Sequence, residues 1–267
     1  MTLTLLQELK NRFPDSSNNT LRSWIEKGRV QVNGRLAERS NHPLLATDQV
    51  TVGPRVAFSR EGIKILFEDE SIVVLEKPAG LLSVATDFQD TPSVHSILKK
   101  RRKVDVVYPV HRLDRETSGV MMFAYTQLAR DHLKQQFFDR KIFKEYEALV
   151  EGNVPVKQGK WESFLEEDPF YFVASTGDSR RGKLAVTSYE VLEWGPRFSL
   201  LRLVLHTGRK NQLRVHCSDA GFPIVGDKKY GSVTNPHKRL CLHARKLVFE
   251  HPVLNKQMTF EAPTPFL

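Results

Sequence analysis

His111-Arg112-Leu113-Asp114-Arg115-Glu116-Thr117-Ser118-Gly119 is a polar cluster lodged between two apolar segments, Val107-Tyr108-Pro109-Val110 before it and Val120 to Ala124 after it. Polar residues wedged between core segments mark a loop over a sheet, the place where folds present working side chains. Taken alone, an aspartate flanked by two arginines reads as a structural ion pair. The surrounding sequence decides whether it is more than that.

Outward from this cluster, strand-like runs follow one another: Ile72 to Leu75, Val120 to Ala124, Phe143 to Val150, Val186 to Val191, Leu200 to Leu205 and Leu247 to Phe249. A few helical stretches interrupt them, among them Asn211 to Ala220. Many strands with few helices predict an α+β fold with a large, mostly antiparallel mixed sheet and helices packed on it. Within Asn211 to Ala220, helical spacing sets Leu213, His216, Cys217 and Ala220 on one face and Arg214 about 100° around from Leu213.

The first 55 residues form a separate pattern. Leu5 to Phe13 reads as a helix, Pro14 to Asn19 as a polar turn, and a second helix begins after Thr20, carries Leu21, Trp24 and Ile25, and stops at Gly28. Val30-Gln31-Val32 alternates as a strand, Asn33-Gly34 is a strong hairpin signal, and Gln49 to Val52 is a further strand. Pro54 to Glu61 is polar and irregular. The expected division is 1–55 as a small α+β domain, 56–62 as a linker and 63–267 as the larger, main domain.

Forty Lys and Arg against 31 Asp and Glu give a formal charge of +9, which favours polyanionic partners. Lys99-Lys100-Arg101-Arg102-Lys103 is the one charge run, suited either to phosphates or to a solvated helix end. Lys27 and Arg29, flanking Gly28, are further candidates for contact with a polyanion. Cys217 and Cys241 are the only cysteines, with no CxxC pair or Cys/His cluster, so neither a disulfide framework nor a metal site is expected and a reducing cytoplasm suits the chain. No apolar run approaches the roughly 18 residues of a membrane span.

With all its fixed positions present, the opening stretch resembles the H-R-L-D-x-x-T-S-G motif of the RluA family of pseudouridine synthases. Other blocks agree in family order. Glu76-Lys77-Pro78-Ala79-Gly80-Leu81 is similar to N-K-P-x-G-L, with Glu76 in place of the common Asn, and Lys144-Glu145-Tyr146 resembles the K-x-Y strand. Thr207-Gly208-Arg209-Lys210-Asn211-Gln212-Leu213-Arg214-Val215-His216 resembles T-G-R-x-x-Q-[IL]-R-x-H. Gly226-Asp227-Lys228-Lys229-Tyr230-Gly231 matches G-D-x-x-Y-G, and Leu242-His243-Ala244 the late L-H-A strand. The N-terminal stretch Ile25 to Gly34 resembles the S4-type RNA-binding domain and lacks the Arg-Leu-Asp usual near its start.

The resemblance implies an enzyme that isomerises uridine in RNA to pseudouridine, with no cofactor and no metal. Breaking the N1–C1′ bond and rejoining C5 to the same carbon involves no net redox change and no hydrolysis. It requires a carboxylate near C1′ or the base. Asp114 is that candidate, and the resemblance assigns Arg214 as its partner, Tyr146 to stack on the uracil and assist removal of the C5 proton, Leu213 to line the base pocket and Arg112 to hold open the stack. The same resemblance favours large-subunit ribosomal RNA over transfer RNA and a monomer. Two alternatives stay open from the residues alone: an N-glycoside hydrolase using Asp114 and Glu116, and a non-catalytic RNA-binding or ribosome-assembly protein.

Overall fold

In the computed structural model of the chain, residues 3–26, 30–33, 35–37, 39–52, 62–85, 92–103 and 106–267 are described. The chain divides into two compact units, Met1–Phe58 and Ser59–Leu267.

In the first unit, β1 (Leu3–Thr4) leads into α1 (Leu5–Arg12), followed by α2 (Asn18–Glu26), β2 (Val30–Val32), β3 (Arg35–Leu36), β4 (Pro43–Leu44) and β5 (Val50–Val52). Thr4 and Gln7 close a capping box on α1, so the first turn starts with its orphan amides satisfied. The second helix begins three residues earlier than its sequence suggests, at Asn18 rather than Leu21. Ser17, not Thr20, supplies the cap, its hydroxyl accepting the Thr20 amide at 3.1 Å. Thr20 lies inside the helix because Ser17 offers the same chemistry one turn upstream. Asn33 takes φ 52°, as a tight hairpin turn requires, and its side-chain oxygen accepts the Gln49 amide at 2.9 Å. Leu5, Leu9, Leu21, Ile25, Val30, Val32, Leu44 and Val50 make the core of this unit. Lys27, Gly28, Arg29, Gly34 and nearly all of the expected linker lie outside the described residues.

The second unit contains β6 (Lys64–Glu68), β7 (Ile72–Lys77), α3 (Val94–Arg102), β8 (Tyr108–Pro109), β9 (Ser118–Ala124), α4 (Gln127–Phe138), β10 (Phe143–Glu151), β11 (Gln158–Glu167), β12 (Val173–Thr176), β13 (Lys183–Trp194), β14 (Phe198–Leu205), α5 (Gln212–Asp219), β15 (Leu242–Glu250) and β16 (Gln257–Glu261). Among the described residues eleven strands form one sheet in the order β12-β11-β13-β14-β10-β15-β9-β7-β6, with β16 beside β15 and β8 beside β9. The pairings are antiparallel except for β15 against β9. This is an α+β fold on a large mixed sheet.

Two-residue alternation divides the central strands between two cores. Val73, Leu75, Met121 and Phe123 enter the cluster shared with α3 and α5, whereas Ile72, Val74, Val120, Met122 and Ala124 enter the one shared with α4. Burial on both faces explains why β7 and β9 read as continuous apolar runs. Gly119, at the start of β9, takes φ +118°, and a Cβ there would lie 2.3 Å from the carbonyl oxygen of Ala244. The parallel pairing of β9 with β15 therefore admits glycine alone, which fixes the loop before it. No helix among the described residues is long and apolar enough to cross a membrane.

Candidate active site

The loop before β9 opens onto a cleft of about 950 Å³, bordered by residues of β10, β14, the end of α4 and the start of α5. Among the described residues seven Lys and Arg side chains line it, and Asp114 is its only carboxylate. A lone anion in a cationic cleft is unusual for a structural ion pair, whose usual place is a solvated surface with matched charges.

Three sets of contacts hold Asp114 in place through its neighbours. The Ser83 hydroxyl donates to the Leu113 carbonyl at 2.7 Å and accepts the Leu113 amide at 3.1 Å. The Lys77 ammonium donates to the carbonyls of Pro78, Leu81 and Arg115 at 3.0, 2.8 and 2.9 Å. The Gly80 amide and the Arg115 guanidinium complete the join, donating to the Arg115 and Gly80 carbonyls respectively at 2.9 and 3.0 Å. Lys77 is fully buried, and burial pushes its ammonium down to about 7 against the pull of Glu116 and Asp114. Lys77 thus uses its three donors to bind the K-P-x-G-L loop to the loop of Asp114.

His111 is a support of the same loop. Its Nε2 accepts the Met122 amide at 3.0 Å, and its ring lies 5.1 Å from that of Phe137.

Helix α5 supplies the other wall. Gln212 is buried, accepting from the Thr207 hydroxyl at 2.8 Å and the Arg209 amide at 3.0 Å, and donating to the Val186 carbonyl at 3.0 Å. His216 shares hydrogen bonds with Thr187 and Ser163, whereas Leu213 and Cys217 enter the main core. Leu213, His216 and Cys217, expected on one face with Ala220, are all buried, and the strands β11 and β13 offer hydroxyl partners to the imidazole. With Thr207, Gln212 and His216 anchoring the helix to the sheet, Leu213 and Arg214 are directed to the cleft.

Arg214 stands 3.7 Å from Asp114 and makes two stronger bonds elsewhere. Its Nε and Nη2 each donate to Asp227 at 2.7 Å, its Nη1 to Asn211 at 3.2 Å, and its guanidinium lies 4.8 Å over the Tyr230 ring. Burial opposes its charge, yet the bonds and charge of Asp227, with Asp114 behind them, raise its pKa. Asp227 and Tyr230 belong to the G-D-x-x-Y-G block, so the signal for them was the motif itself, without a role attached. Gly226 carries φ +83°, and a Cβ there would fall 2.0 Å from the Arg239 carbonyl oxygen, so close backbone packing sets the position of Asp227.

Tyr146 and Lys144 on β10 both line the cleft. Burial first, then the charge of Asp114, pushes the Tyr146 phenol well above its ordinary value, so the group facing the cleft is the neutral phenol. Burial likewise lowers Lys144, whose ammonium lies 5.6 Å over the Phe137 ring. Arg112 is exposed on the cleft wall with no carboxylate within ion-pair distance among the described residues. Glu116 pairs with the adjacent Arg115 at 3.7 Å.

The cluster Lys99 to Lys103 sits apart from this wall, at the C-terminal end of α3. Arg101 pairs with Glu68, and Arg102 with Glu70 and the Asp69 carbonyl, so two of these cations serve the fold and the helix dipole. None of the five lines the cleft.

Residues 71–219 match the protein family described as RNA pseudouridylate synthase. Ribosomal large subunit pseudouridine synthase D of Neisseria meningitidis serogroup B is 33% identical over an alignment covering 96% of this chain and 74% of that protein. Dual-specificity RNA pseudouridine synthase RluA of Pasteurella multocida is 36% identical, covering 76% of this chain and 94% of its own. Among solved structures, human RNA pseudouridylate synthase domain containing 1 is similar with a TM-score of 0.66 and 27% identity, over 79% of this chain and 87% of that one.

Proposed function

Since this chain belongs to the RNA pseudouridylate synthase family, we propose that its cleft isomerises uridine to pseudouridine in large-subunit ribosomal RNA, with Asp114 as the reacting carboxylate. The observation that carries this reading is the position of Asp114 as the sole carboxylate among the described residues of a cationic cleft, beside an arginine fixed from behind by Asp227.

A uridine stacked in RNA cannot present C1′ and C5 to these groups, so it leaves the stack, at a cost of a few kcal/mol. Arg112, exposed and with no carboxylate partner among the described residues, fills the gap. The uracil lies against Leu213 and the ring of Tyr146, and the surrounding cations meet the phosphates on either side. The N1–C1′ bond then breaks with its electron pair leaving on uracil, the ring turns, and C5 bonds to C1′. The proton lost from C5 is matched by one gained at N1, so neither oxidant nor water is consumed. Attack at C1′ and attack at the uracil ring both call on the same carboxylate, Asp114.

Tyr146 acts in the neutral state, stacking on the base and contributing a hydroxyl near C5. The N-terminal unit serves as an S4-like clamp on RNA, and the enzyme works as a cytoplasmic monomer. A hydrolase reading has less support, because Glu116 is tied to Arg115 and does not line the cleft.

Nucleotide-resolution pseudouridine maps of ribosomal and transfer RNA decide the matter, comparing cells with the gene intact, deleted, or carrying Asp114→Ala. The reading expects one or a few large-subunit positions to be lost in both altered strains. Unchanged maps would overturn it, and release of free uracil by the purified protein would move the hydrolase to the front.

A further inference from the structure

The turn between β11 and β12 carries Asp168-Pro169-Phe170-Tyr171-Phe172, in which Phe170 is 88% and Tyr171 72% exposed. The turn is well braced. The Asp168 carboxylate accepts the amides of Phe170 and Phe172 at 2.9 and 2.8 Å, while the Asp168 amide donates to the Phe172 carbonyl at 2.8 Å. Tyr171 takes φ 63°, a conformation in which glycine or asparagine is usual and a bulky ring is rare. A strained, hydrogen-bonded turn that presents two rings to solvent points to a contact surface.

The turn is continuous with the cleft. Phe172 packs 5.2 Å from Tyr230, whose ring lies 4.8 Å beneath the Arg214 guanidinium. Lys229 sits 5.2 Å over the Phe172 ring and donates to the Tyr171 carbonyl at 3.2 Å. Lys210, which lines the cleft, sits 5.1 Å over the Tyr171 ring and pairs with Glu167. One margin of the cleft is therefore a row of aromatic rings interleaved with ammonium groups. That combination matches a flexible polyanion carrying flat rings, because unpaired bases stack on the aromatics while phosphates meet the cations. Paired bases in a duplex present no free face to such a surface.

We propose that Phe170 and Tyr171 form a stacking platform for unpaired bases of the RNA strand whose uridine enters the cleft; the identity of that strand rests on the isomerase reading. The platform binds without sequence preference and holds RNA that is already single-stranded or locally opened, placing the target beside Asp114.

A Phe170→Ala, Tyr171→Gly double variant removes both rings, and glycine relieves the positive φ, so the fold is retained; thermal unfolding checks this. Binding of fluorescent single-stranded oligouridylate and of a fully paired RNA duplex of equal length is measured by anisotropy at one salt concentration. The proposal expects the single strand to lose about fivefold or more in affinity while the duplex is unchanged, from the worth of one or two base–aromatic stacks. Phe170→Trp should keep the affinity and show indole quenching by the single strand. Unchanged single-strand affinity, equal losses on both probes, or a wild-type protein that binds neither overturns the platform. So does a wild-type dimer that the double variant dissociates, which would make the rings a self-association surface. None of these readouts needs turnover, so a protein that binds as expected yet fails to isomerise uridine would sink the isomerase reading and leave the platform standing.

Discussion

Asp227 grips Arg214 through two hydrogen bonds of 2.7 Å, and the same guanidinium stands 3.7 Å from Asp114. The two carboxylates share one cation from opposite sides, and their exposure separates their work. Asp227 has a side chain 1% exposed and Asp114 one that is 28% exposed. The buried acid fixes the guanidinium in a bidentate geometry that only arginine provides, and the open acid meets the cleft.

Asp227→Asn keeps the shape and removes the charge. Withdrawing one partner of a buried pair leaves the other uncompensated, so we expect a loss of about 3 kcal/mol in urea unfolding. The slack left in Arg214 should also lower single-turnover conversion by about a hundredfold, as small misplacements at reacting centres do. A variant that loses stability but converts bound RNA at the wild-type rate would show that Arg214 does not need this clamp.

Asp114→Ala and Asp114→Asn should each reduce conversion by at least about a thousandfold, on the scale found when the central group of a catalytic unit is removed. RNA affinity should hold or increase, because each substitution removes a negative charge from a cleft lined by cations. Filter-binding and single-turnover assays on the same RNA separate the two effects. Loss of affinity in step with activity would recast Asp114 as a structural residue.

Tyr146→Phe keeps the ring and deletes the hydroxyl. Uridine binding should stay within about threefold of wild type, since stacking depends on the ring. Burial and the Asp114 charge hold the Tyr146 pKa above the ordinary 10 of a free tyrosine, so its ionisation contributes no limb to the rate profile below that pH. A wild-type alkaline limb that Tyr146→Phe abolishes would show that the phenolate is the working form.

How far the sequence discloses this arrangement depends on the distance over which each signal acts. The strand Ile72 to Leu75 was legible as a local apolar run, as was the helix of Leu213 and Arg214, whereas the division of Val73 and Leu75 from Ile72 and Val74 between two cores was not, because all four side chains are apolar and buried. β11 was not, because of its ten residues only Leu165 is buried and the alternation is muted by Gly159, Ser163 and charged neighbours. The supports of Asp114 are likewise tertiary. Nothing near Lys77 announces that its ammonium will meet the Arg115 carbonyl, nor does the sequence around Ser83 reveal its bonds to Leu113. Asp227 could be found only as a member of a motif, since its guanidinium partner arrives through the packing of α5 against the turn Lys228–Tyr230.

His111 makes the stability of this loop sensitive to acid. Its Nε2 accepts the Met122 amide and therefore carries no proton, and burial, aided by the Lys144 charge, lowers its pKa from 6.5 to about 3. In the unfolded chain the imidazole takes up a proton as pH falls below 6.5, whereas in the folded chain it does so only near 3. Between those values the unfolded state binds more protons, so stability is complete above 6.5, declines as pH falls through the window and levels off below about 3. His243, lowered to about 4 by burial, adds to the same slope. His111→Gln offers an amide oxygen that can accept the Met122 amide without titrating. Urea-unfolding midpoints measured from neutral pH to about pH 4 should therefore fall less steeply for His111→Gln than for wild type, by up to about 1.4 kcal/mol per pH unit. Parallel curves would mean that His111 does not govern the acid sensitivity of the loop that carries Asp114.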